Sequence, residues 1–191
     1  MSNSTKDDIL TAAVELFAAG GYHDTSMAKI ADKAGISKGT LYWYFSGKEE
    51  LFRELIMTGF NMLFSKVHKI VEQDIPAEQM LHQYIESKIR FLERHRKIAK
   101  IAVENLEIIS QELKEKAMQK HKEMLDYISA IINKGKEEKV FKDIDTVDTA
   151  LLIIGMTNCI NSDFMFVNND DRSSKVEFIY NVIKNGIARR E

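Results

Sequence analysis

Proline, glycine and cysteine are scarce in this chain of 191 residues, which contains one proline, nine glycines and one cysteine. Proline and glycine both destabilise the interior of a helix, so their scarcity favours long, uninterrupted helices. The single cysteine, Cys159, cannot form a disulfide within the chain and lies in an apolar stretch, as a buried thiol in a reducing compartment would. These scarcities favour an all-α protein without a disulfide framework.

The chain also lacks an apolar amino-terminal segment and a long apolar run. Residues 1–6 are mostly polar and predict no signal peptide. The most apolar stretch lies between Asp148 and Asp163, is interrupted by Asn158, and is shorter than the roughly 20 residues that a membrane-spanning helix needs. We therefore expect a cytoplasmic protein with no membrane partner.

Residue patterns of common enzyme classes are missing as well. The five histidines are scattered and show no metal-ligand spacing with Cys159. No nucleophile-elbow serine occurs, and Gly47-Lys48 lacks the upstream glycine and the following Ser/Thr of a phosphate-binding loop. The sequence predicts a protein that is not an enzyme and has no metal site and no cofactor.

Positive charge is not in excess either. The net charge is −2, and the first 50 residues carry five lysines against seven acidic residues. A basic patch is the usual electrostatic sign of nucleic-acid binding. DNA binding by this chain must therefore depend on where its lysines lie rather than on their number.

Three short helices are predicted within the first 47 residues. The first covers 4–19 and ends at Gly20-Gly21; Thr25 or Ser26 caps the second, and Ser37 caps the third, which runs to about Phe45. Small Ala31 and Gly35 suit a close helix crossing, and the predicted core of this unit consists of Ile30, Ile36, Leu41 and Phe45. This pattern is typical of a helix-turn-helix.

The remaining residues are predicted to be helical throughout, with no strand and no internal repeat. A capping box of Ser46 and Glu49 opens a long helix over 48–73. Further helices are predicted at 77–94, 96–109, 110–138, 145–167 and 173–189, which makes about nine in total. We predict a helix-turn-helix domain over 1–47 and a larger helical domain over 48–191, with the 48–73 helix connecting them.

The outer face of the third helix is unusual. Hydroxyls, aromatic rings and a lysine are concentrated there around a flexible glycine, in the set Ser37, Lys38, Gly39, Thr40, Tyr42, Trp43 and Tyr44. Hydroxyls and lysine suit phosphate oxygens and base edges, and aromatic rings suit the groove wall and thymine methyl groups. The pattern predicts a DNA-reading surface.

Two lysines lie in first turns of predicted helices, Lys38 in the third helix and Lys48 in the fourth. A cation there opposes the helix macrodipole and is mildly unfavourable, whereas a helix amino end with a lysine binds phosphate well. We interpret both lysines as phosphate ligands; the alternative is that they are ordinary solvated lysines.

Residues 6–51 resemble the DNA-binding region of the TetR family of bacterial regulators. The resemblance rests on many residues at fixed spacing: Thr25-Ser26, Ile30-Ala31, Ala34-Gly35-Ile36-Ser37, Gly39, Leu41-Tyr42, Phe45 and Lys48. Two positions depart from the pattern, since Tyr44 stands where the family often has histidine and Gly47 where lysine or serine-like residues are more usual. The remaining three quarters of the chain are similar in length and helicity only.

The resemblance implies a homodimeric transcriptional regulator that binds a palindromic operator in double-stranded DNA. Repression relieved by a small-molecule effector is the family default, and activation stays open. The resemblance implies sugar-phosphate contacts by Thr25, Ser26, Thr40, Tyr44 and Lys48. It implies that Lys38, Gly39, Tyr42 and Trp43 reach into the major groove.

The helical body fits a sensor and dimerisation domain. The predicted eighth helix is apolar almost all round, which is more than the core of one chain can easily cover, and the ninth carries an apolar stripe that would join it. We expect a homodimer through these last two helices, as in TetR-like proteins; a monomer with a deep core is the alternative.

An effector pocket is predicted from polar residues at apolar-stripe positions, together with one tyrosine hydroxyl: Tyr84, Lys88, Asn105, His121 and Asn158. Each is alternatively a satisfied polar group of a core or an interface. Nine methionines suit an adaptable apolar cavity. We expect a largely apolar effector bound among the fourth to eighth predicted helices.

A helical ligand-binding or partner-binding protein that has lost operator binding remains the main alternative, because positive charge is low. An enzyme is the other. A regulator should lose DNA affinity steeply as salt rises, whereas a helical protein that has lost operator binding should show no salt-dependent DNA affinity at any sequence.

Overall fold

The computed structural model describes residues 3–97, 111–159 and 172–188 of the chain. It contains eight named helices within these ranges: α1 (Asn3–Gly20), α2 (Met27–Lys33), α3 (Lys38–Tyr44), α4 (Lys48–Val71), α5 (Ala77–Arg94), α6 (Gln111–Glu137), α7 (Thr146–Cys159) and α8 (Arg172–Ile187). No strand occurs in the described ranges, where the only β-type pairing is an isolated bridge between Phe141 and Ala188. The predicted all-α fold is confirmed.

The observed bounds agree closely with the predicted ones, with two differences. The α4 helix ends at Val71, and α7 is described only to Cys159. Most of the predicted helix at 96–109 and the end of the one at 145–167 lie outside the described residues.

The chain divides into two compact units. The first comprises Met1–Phe60 with His95–Glu115, and the second comprises Asn61–Arg94 with Lys116–Glu191. The boundary therefore lies within α4 rather than at residue 47, because Leu51, Phe52 and Leu55 are buried in the core of the first unit. The functional division at residues 47 and 48 stays a prediction.

Aromatic rings build the core of the first unit. The ring of Phe17 on α1 lies 5.2 Å from that of Tyr22 and 6.1 Å from that of Phe52, in edge contact with the latter. Ile30, Leu41 and Phe45 are buried as predicted, whereas Ile36 is only partly buried. This core fixes α2 and α3 against α1 and the first turns of α4.

In the second unit, α5 packs against α7 and α8. Polar contacts fasten α5: the Glu138 carboxylate accepts a hydrogen bond of 2.9 Å from the backbone N–H of Ala77, and Lys184 pairs with Glu78 at 3.1 Å. The core of this unit is mainly aliphatic, with Ile89, Ile128 and Ile131 fully buried alongside Tyr84.

None of the described helices is long and apolar enough to cross a membrane. In the same residues, no three histidine, cysteine or acidic side chains are grouped so that they could hold a metal ion.

Candidate nucleic-acid interface

The turn between α2 and α3 has the backbone of a helix-turn-helix. Gly35 adopts a φ of +67°, in the left-handed region that favours glycine. The backbone N–H of Ile36 then donates to the carbonyl of Ala31 at 3.0 Å, which closes the end of α2. The glycine thus allows α3 to begin only a few residues after α2 ends.

Serine side chains start both short helices, as the sequence predicted. The Ser26 hydroxyl oxygen accepts a hydrogen bond of 3.3 Å from the backbone N–H of Lys29, so Ser26 rather than Thr25 is the cap of α2. Ser37 caps α3 by accepting from the N–H of Thr40 at 3.0 Å, and the two hydroxyl oxygens lie 2.8 Å apart. Both serines are exposed, so each can also meet a ligand.

Large aromatic side chains of α3 are exposed to solvent. Tyr42 is 53 % exposed and Trp43 is 75 % exposed. Tyr44 is half-buried and packs at the edge of the core, with its ring 4.8 Å from that of Trp43 in an edge contact. The fold gains little from an exposed tryptophan, so a binding role accounts better for its presence.

The lysines of the first 50 residues differ in what they contact. Four of the five are engaged within the unit: Lys6 with Glu54, Lys33 with Glu15, Lys29 with the carbonyl of Asp24, and Lys48 with carbonyls described below. Lys38 is exposed and has no hydrogen-bond or ion-pair partner in the described part of the chain. Of these five lysines, the one without a partner thus lies on α3, four residues before Tyr42.

Lys48 is bound to the protein itself. Its ammonium donates to the carbonyl oxygens of Tyr22, His23 and Thr25 at 2.7, 3.1 and 2.9 Å, and lies 4.4 Å from the centre of the Tyr22 ring. Burial lowers the pKa of this ammonium, and the Asp24 carboxylate opposes that shift. All three N–H donors have carbonyl partners, so this geometry does not present a free phosphate ligand, and a contact with DNA stays a prediction.

The Thr25 hydroxyl is also used internally. Thr25 is only 3 % exposed, and its hydroxyl oxygen lies 2.8 Å from the carbonyl of Gly21 and 3.3 Å from that of Leu16. It therefore satisfies carbonyls at the end of α1, and its predicted phosphate contact has no support in this geometry.

The predicted capping box of α4 is wrong in one residue. The Glu50 carboxylate, not that of Glu49, accepts from the backbone N–H and the hydroxyl of Ser46, at 2.7 and 2.6 Å. Helix α4 starts at Lys48, so Glu50 is its third residue and its side chain reaches back over the helix start. These bonds lower the pKa of the Glu50 carboxyl.

Gly39 is not required by the fold. A Cβ added there would meet only the Ser37 hydroxyl oxygen, at an ordinary 3.7 Å. Alanine is the better helix former, so folding alone does not explain glycine at this exposed position. The absence of a side chain does suit the close approach of a ligand to the backbone of α3.

Two parts of the chain match families of known proteins. Residues 9–55 match the family described as bacterial regulatory proteins, tetR family, and residues 74–162 match the family described as tetracyclin repressor-like, C-terminal domain. The HTH-type transcriptional regulator YhgD of Bacillus subtilis (strain 168) is 31 % identical over 154 residues, covering 81 % of each chain. The chain belongs to the TetR family of bacterial transcriptional regulators.

Other TetR-like proteins extend the comparison. The fatty acid metabolism regulator protein of Bacillus subtilis (strain 168) is 27 % identical over 135 residues, covering 71 % of this chain and 70 % of that protein. The ketosteroid transcriptional regulator KstR2 of Mycobacterium tuberculosis has the same fold, with a TM-score of 0.79 and 23 % identity over 100 % of this chain and 98 % of that one. TetR regulators are DNA-binding transcription factors, not enzymes; they bind small-molecule effectors, usually as dimers.

Two of the predicted effector residues, Tyr84 and Lys88, lie on the buried face of α5 in the second unit. The Tyr84 hydroxyl lies 3.3 Å from that of Thr157 on α7, and burial raises the pKa of Tyr84 to about 12. Thr157, which is fully buried, was missed by sequence reasoning although it lies at helical spacing from buried Ile153 and Ile154.

The other predicted effector residues do not join this group. His121 on α6 and Asn158 on α7 are exposed, so the prediction that they interrupt a buried stripe is wrong. The buried stripe of α7 runs through Ala150, Ile153, Ile154 and Thr157, so Leu151 and Asn158 of the predicted stripe lie outside it. Asn105 lies outside the described residues.

Proposed function

We propose that this TetR-family regulator is a homodimeric repressor that binds a palindromic operator through α3 and leaves it when a largely apolar effector binds the second unit. The observation that carries the proposal is the exposed surface of α3. There, Lys38 has no partner in the described chain and Trp43 is 75 % exposed.

The α3 surface supplies the groups that DNA recognition uses. Lys38 provides a cation, Gly39 leaves room for close approach, and the rings of Tyr42 and Trp43 can contact base edges and thymine methyl groups. Ser26, Ser37, Thr40 and Tyr44 flank this surface and suit phosphate oxygens. Because the net charge is −2, affinity should come from these local contacts rather than from a general positive field.

An apolar face on the last two helices supports dimerisation. Exposed apolar side chains are concentrated on neighbouring α7 and α8: Val147, Leu151, Leu152, Met156, Phe178 and Val182. Leu152 and Phe178 are each 67 % exposed, and an unpartnered patch of this kind marks an interface. A second copy covers such a face by two-fold symmetry, which also matches a palindromic operator with two half-sites.

The effector is assigned to the interior of the second unit. Buried apolar side chains surround Tyr84 and Lys88 on α5, and two relatives are named for fatty acid metabolism and for ketosteroids, which are largely apolar compounds. The two α3 helices of a dimer can be held at different spacings in different conformations. An effector that binds one conformation more tightly shifts the population toward the spacing of that conformation. Repression is relieved if the favoured spacing no longer matches successive major grooves.

DNase footprinting on the region upstream of the protein's own gene tests the proposal. We expect one protected site whose two halves are related by a two-fold axis, about one helical turn apart. Protection should be lost when a fatty acid or steroid effector is added. A single unpaired half-site would contradict the dimer, and protection insensitive to every such compound would contradict the effector.

A further inference from the structure

Lys88 is the buried cation of the second unit. It is 9 % exposed, lies on α5 among the fully buried Tyr84, Ile85 and Ile89, and has no hydrogen-bond or ion-pair partner in the described part of the chain. Lysines are almost never this buried unless they are paired.

The lack of a partner has an electrostatic consequence. Burial lowers the pKa of Lys88 to about 8, and among the described residues no charged neighbour opposes the shift. A lysine kept only for packing could be replaced by methionine without this cost, since the two side chains have similar length and methionine carries no charge. The retained ammonium therefore indicates a partner that the described residues of the chain do not supply.

Other polar groups lie beside Lys88. Tyr84 precedes it by four residues, so both side chains share one face of α5 about one turn apart. The Tyr84 hydroxyl contacts Thr157 on α7 at a long 3.3 Å, while the Thr157 hydroxyl donates to its own helix, 2.9 Å from the carbonyl of Ile153. Lys88 and Tyr84 are thus the polar residues of the otherwise apolar buried face of α5.

We propose that Lys88 binds a carboxylate at the end of the effector's apolar body, with the Tyr84 hydroxyl as a second donor. This inference rests on the proposed effector function and adds the chemical class of the ligand. A single buried ammonium compensates one negative charge, so a monoanion fits, whereas a phosphate dianion would leave a buried charge unpaired. A ligand with a long apolar body and one charged group also suits the usual ligand site, which is mostly apolar with a few polar groups.

The test compares saturated fatty acids, from octanoate to hexadecanoate, with the primary alcohols of the same chain lengths. Affinities are measured by isothermal titration calorimetry on the full-length protein and on three variants. Lys88→Met removes the charge, Tyr84→Phe removes the hydroxyl, and Lys122→Met removes an exposed lysine of the same unit as the control.

We expect wild type and Lys122→Met to bind the acid roughly 10- to 100-fold more tightly than the matched alcohol. This ratio corresponds to the free energy that a hydrogen bond to a charged group contributes. Lys88→Met should lose this preference while still binding the alcohol, and Tyr84→Phe should reduce it only partly. Retained alcohol binding shows that the variant is folded and that its apolar site is intact.

Other results would overturn the inference. Equal affinity for acid and alcohol in wild type, or a preference that survives Lys88→Met, would remove Lys88 as the anion site and leave an apolar effector standing. Binding of neither class at any chain length would overturn it together with the effector part of the proposed function. That result would leave the proposed binding of an operator by α3 standing.

Discussion

The ammonium nitrogen of Lys48 lies 2.7 Å from the carbonyl oxygen of Tyr22 and 4.4 Å from the centre of its ring. The start of α4 is thereby fastened to the segment that joins α1 to α2. A lysine in the first turn is unfavourable for its own helix, but here it donates hydrogen bonds to backbone carbonyls that follow the end of α1. The cation stabilises a turn far from it in sequence.

Replacing Lys48 with methionine should therefore destabilise the first unit by about 1–3 kcal/mol, since hydrogen bonds from a charged donor are lost while the carbonyls stay part-buried. Urea denaturation followed by circular dichroism measures the change. Hydrogen exchange in residues 21–26 gives the local readout and should become faster. Lys48→Arg keeps the charge and should lose less.

If Lys48 instead binds a DNA phosphate, a different result is expected. In that case Lys48→Met would leave the unfolding free energy and the exchange of residues 21–26 unchanged. It would instead reduce the slope of log affinity against log salt by about 0.9 for each lost phosphate contact. This combination would contradict the structural role.

Gly39→Ala should separate folding from recognition. The new Cβ would meet nothing closer than 3.7 Å, so we expect stability to stay the same or rise by up to about 1 kcal/mol. Operator affinity should fall at least about tenfold, or about 1.4 kcal/mol, because the methyl group lies on the proposed DNA surface. Gly186→Ala on α8, also in open space, is the control, and equal operator affinity in both variants would remove Gly39 from the interface.

Leu152→Glu should prevent dimerisation. Leu152 is 67 % exposed in the single chain, and a carboxylate there would be buried unpaired in a two-fold interface, at a cost of several kcal/mol per ion. Sedimentation should show at least about 100-fold weaker association. Met118→Glu on α6, at a side chain that is 73 % exposed, should leave the dimer intact; equal effects of the two changes would place the interface elsewhere.

The buried Lys88 predicts a pH-dependent stability difference between wild type and Lys88→Met. Its pKa is lowered to about 8 in the folded chain from 10.5, so between these values the unfolded state binds more protons and wild type gains stability as pH rises. At pH 7 the free energy of unfolding of Lys88→Met should exceed that of wild type. This difference should shrink by up to about 3 kcal/mol by pH 10. Urea titrations at both pH values measure it, and a constant difference would show that Lys88 is not desolvated.

Features that depend on neighbours in sequence were predicted well. The bounds of α5 agree with prediction because Pro76 precedes its first turn, and the caps Ser26 and Ser37 are confirmed because each acts on a residue only three positions ahead. The family resemblance rested on this same local spacing, which is why the fold class and the regulator family are confirmed.

Features that depend on contacts between residues distant in sequence were not predicted. The carbonyl partners of Lys48 precede it by 23 to 26 residues, and nothing in local spacing indicates them. Helical periodicity placed Asn158 on a stripe with Leu151, but packing buries the stripe of Thr157 instead. The stripe through Thr157 and the stripe through Asn158 share Ile154 and have the same helical periodicity, so only tertiary structure decides which one is covered.

Operator recognition is proposed to depend on the exposed face of α3. Fluorescence anisotropy of labelled duplexes tiled across the region upstream of the gene tests it, with wild type and a Tyr42→Ala/Trp43→Ala variant at low and moderate salt. We predict tight, salt-sensitive binding of wild type to one tile, and a variant that is equally stable but shows no preference among tiles. Uniformly weak binding by wild type, after refolding to remove any bound effector, or unchanged preference in the variant would contradict operator recognition by α3.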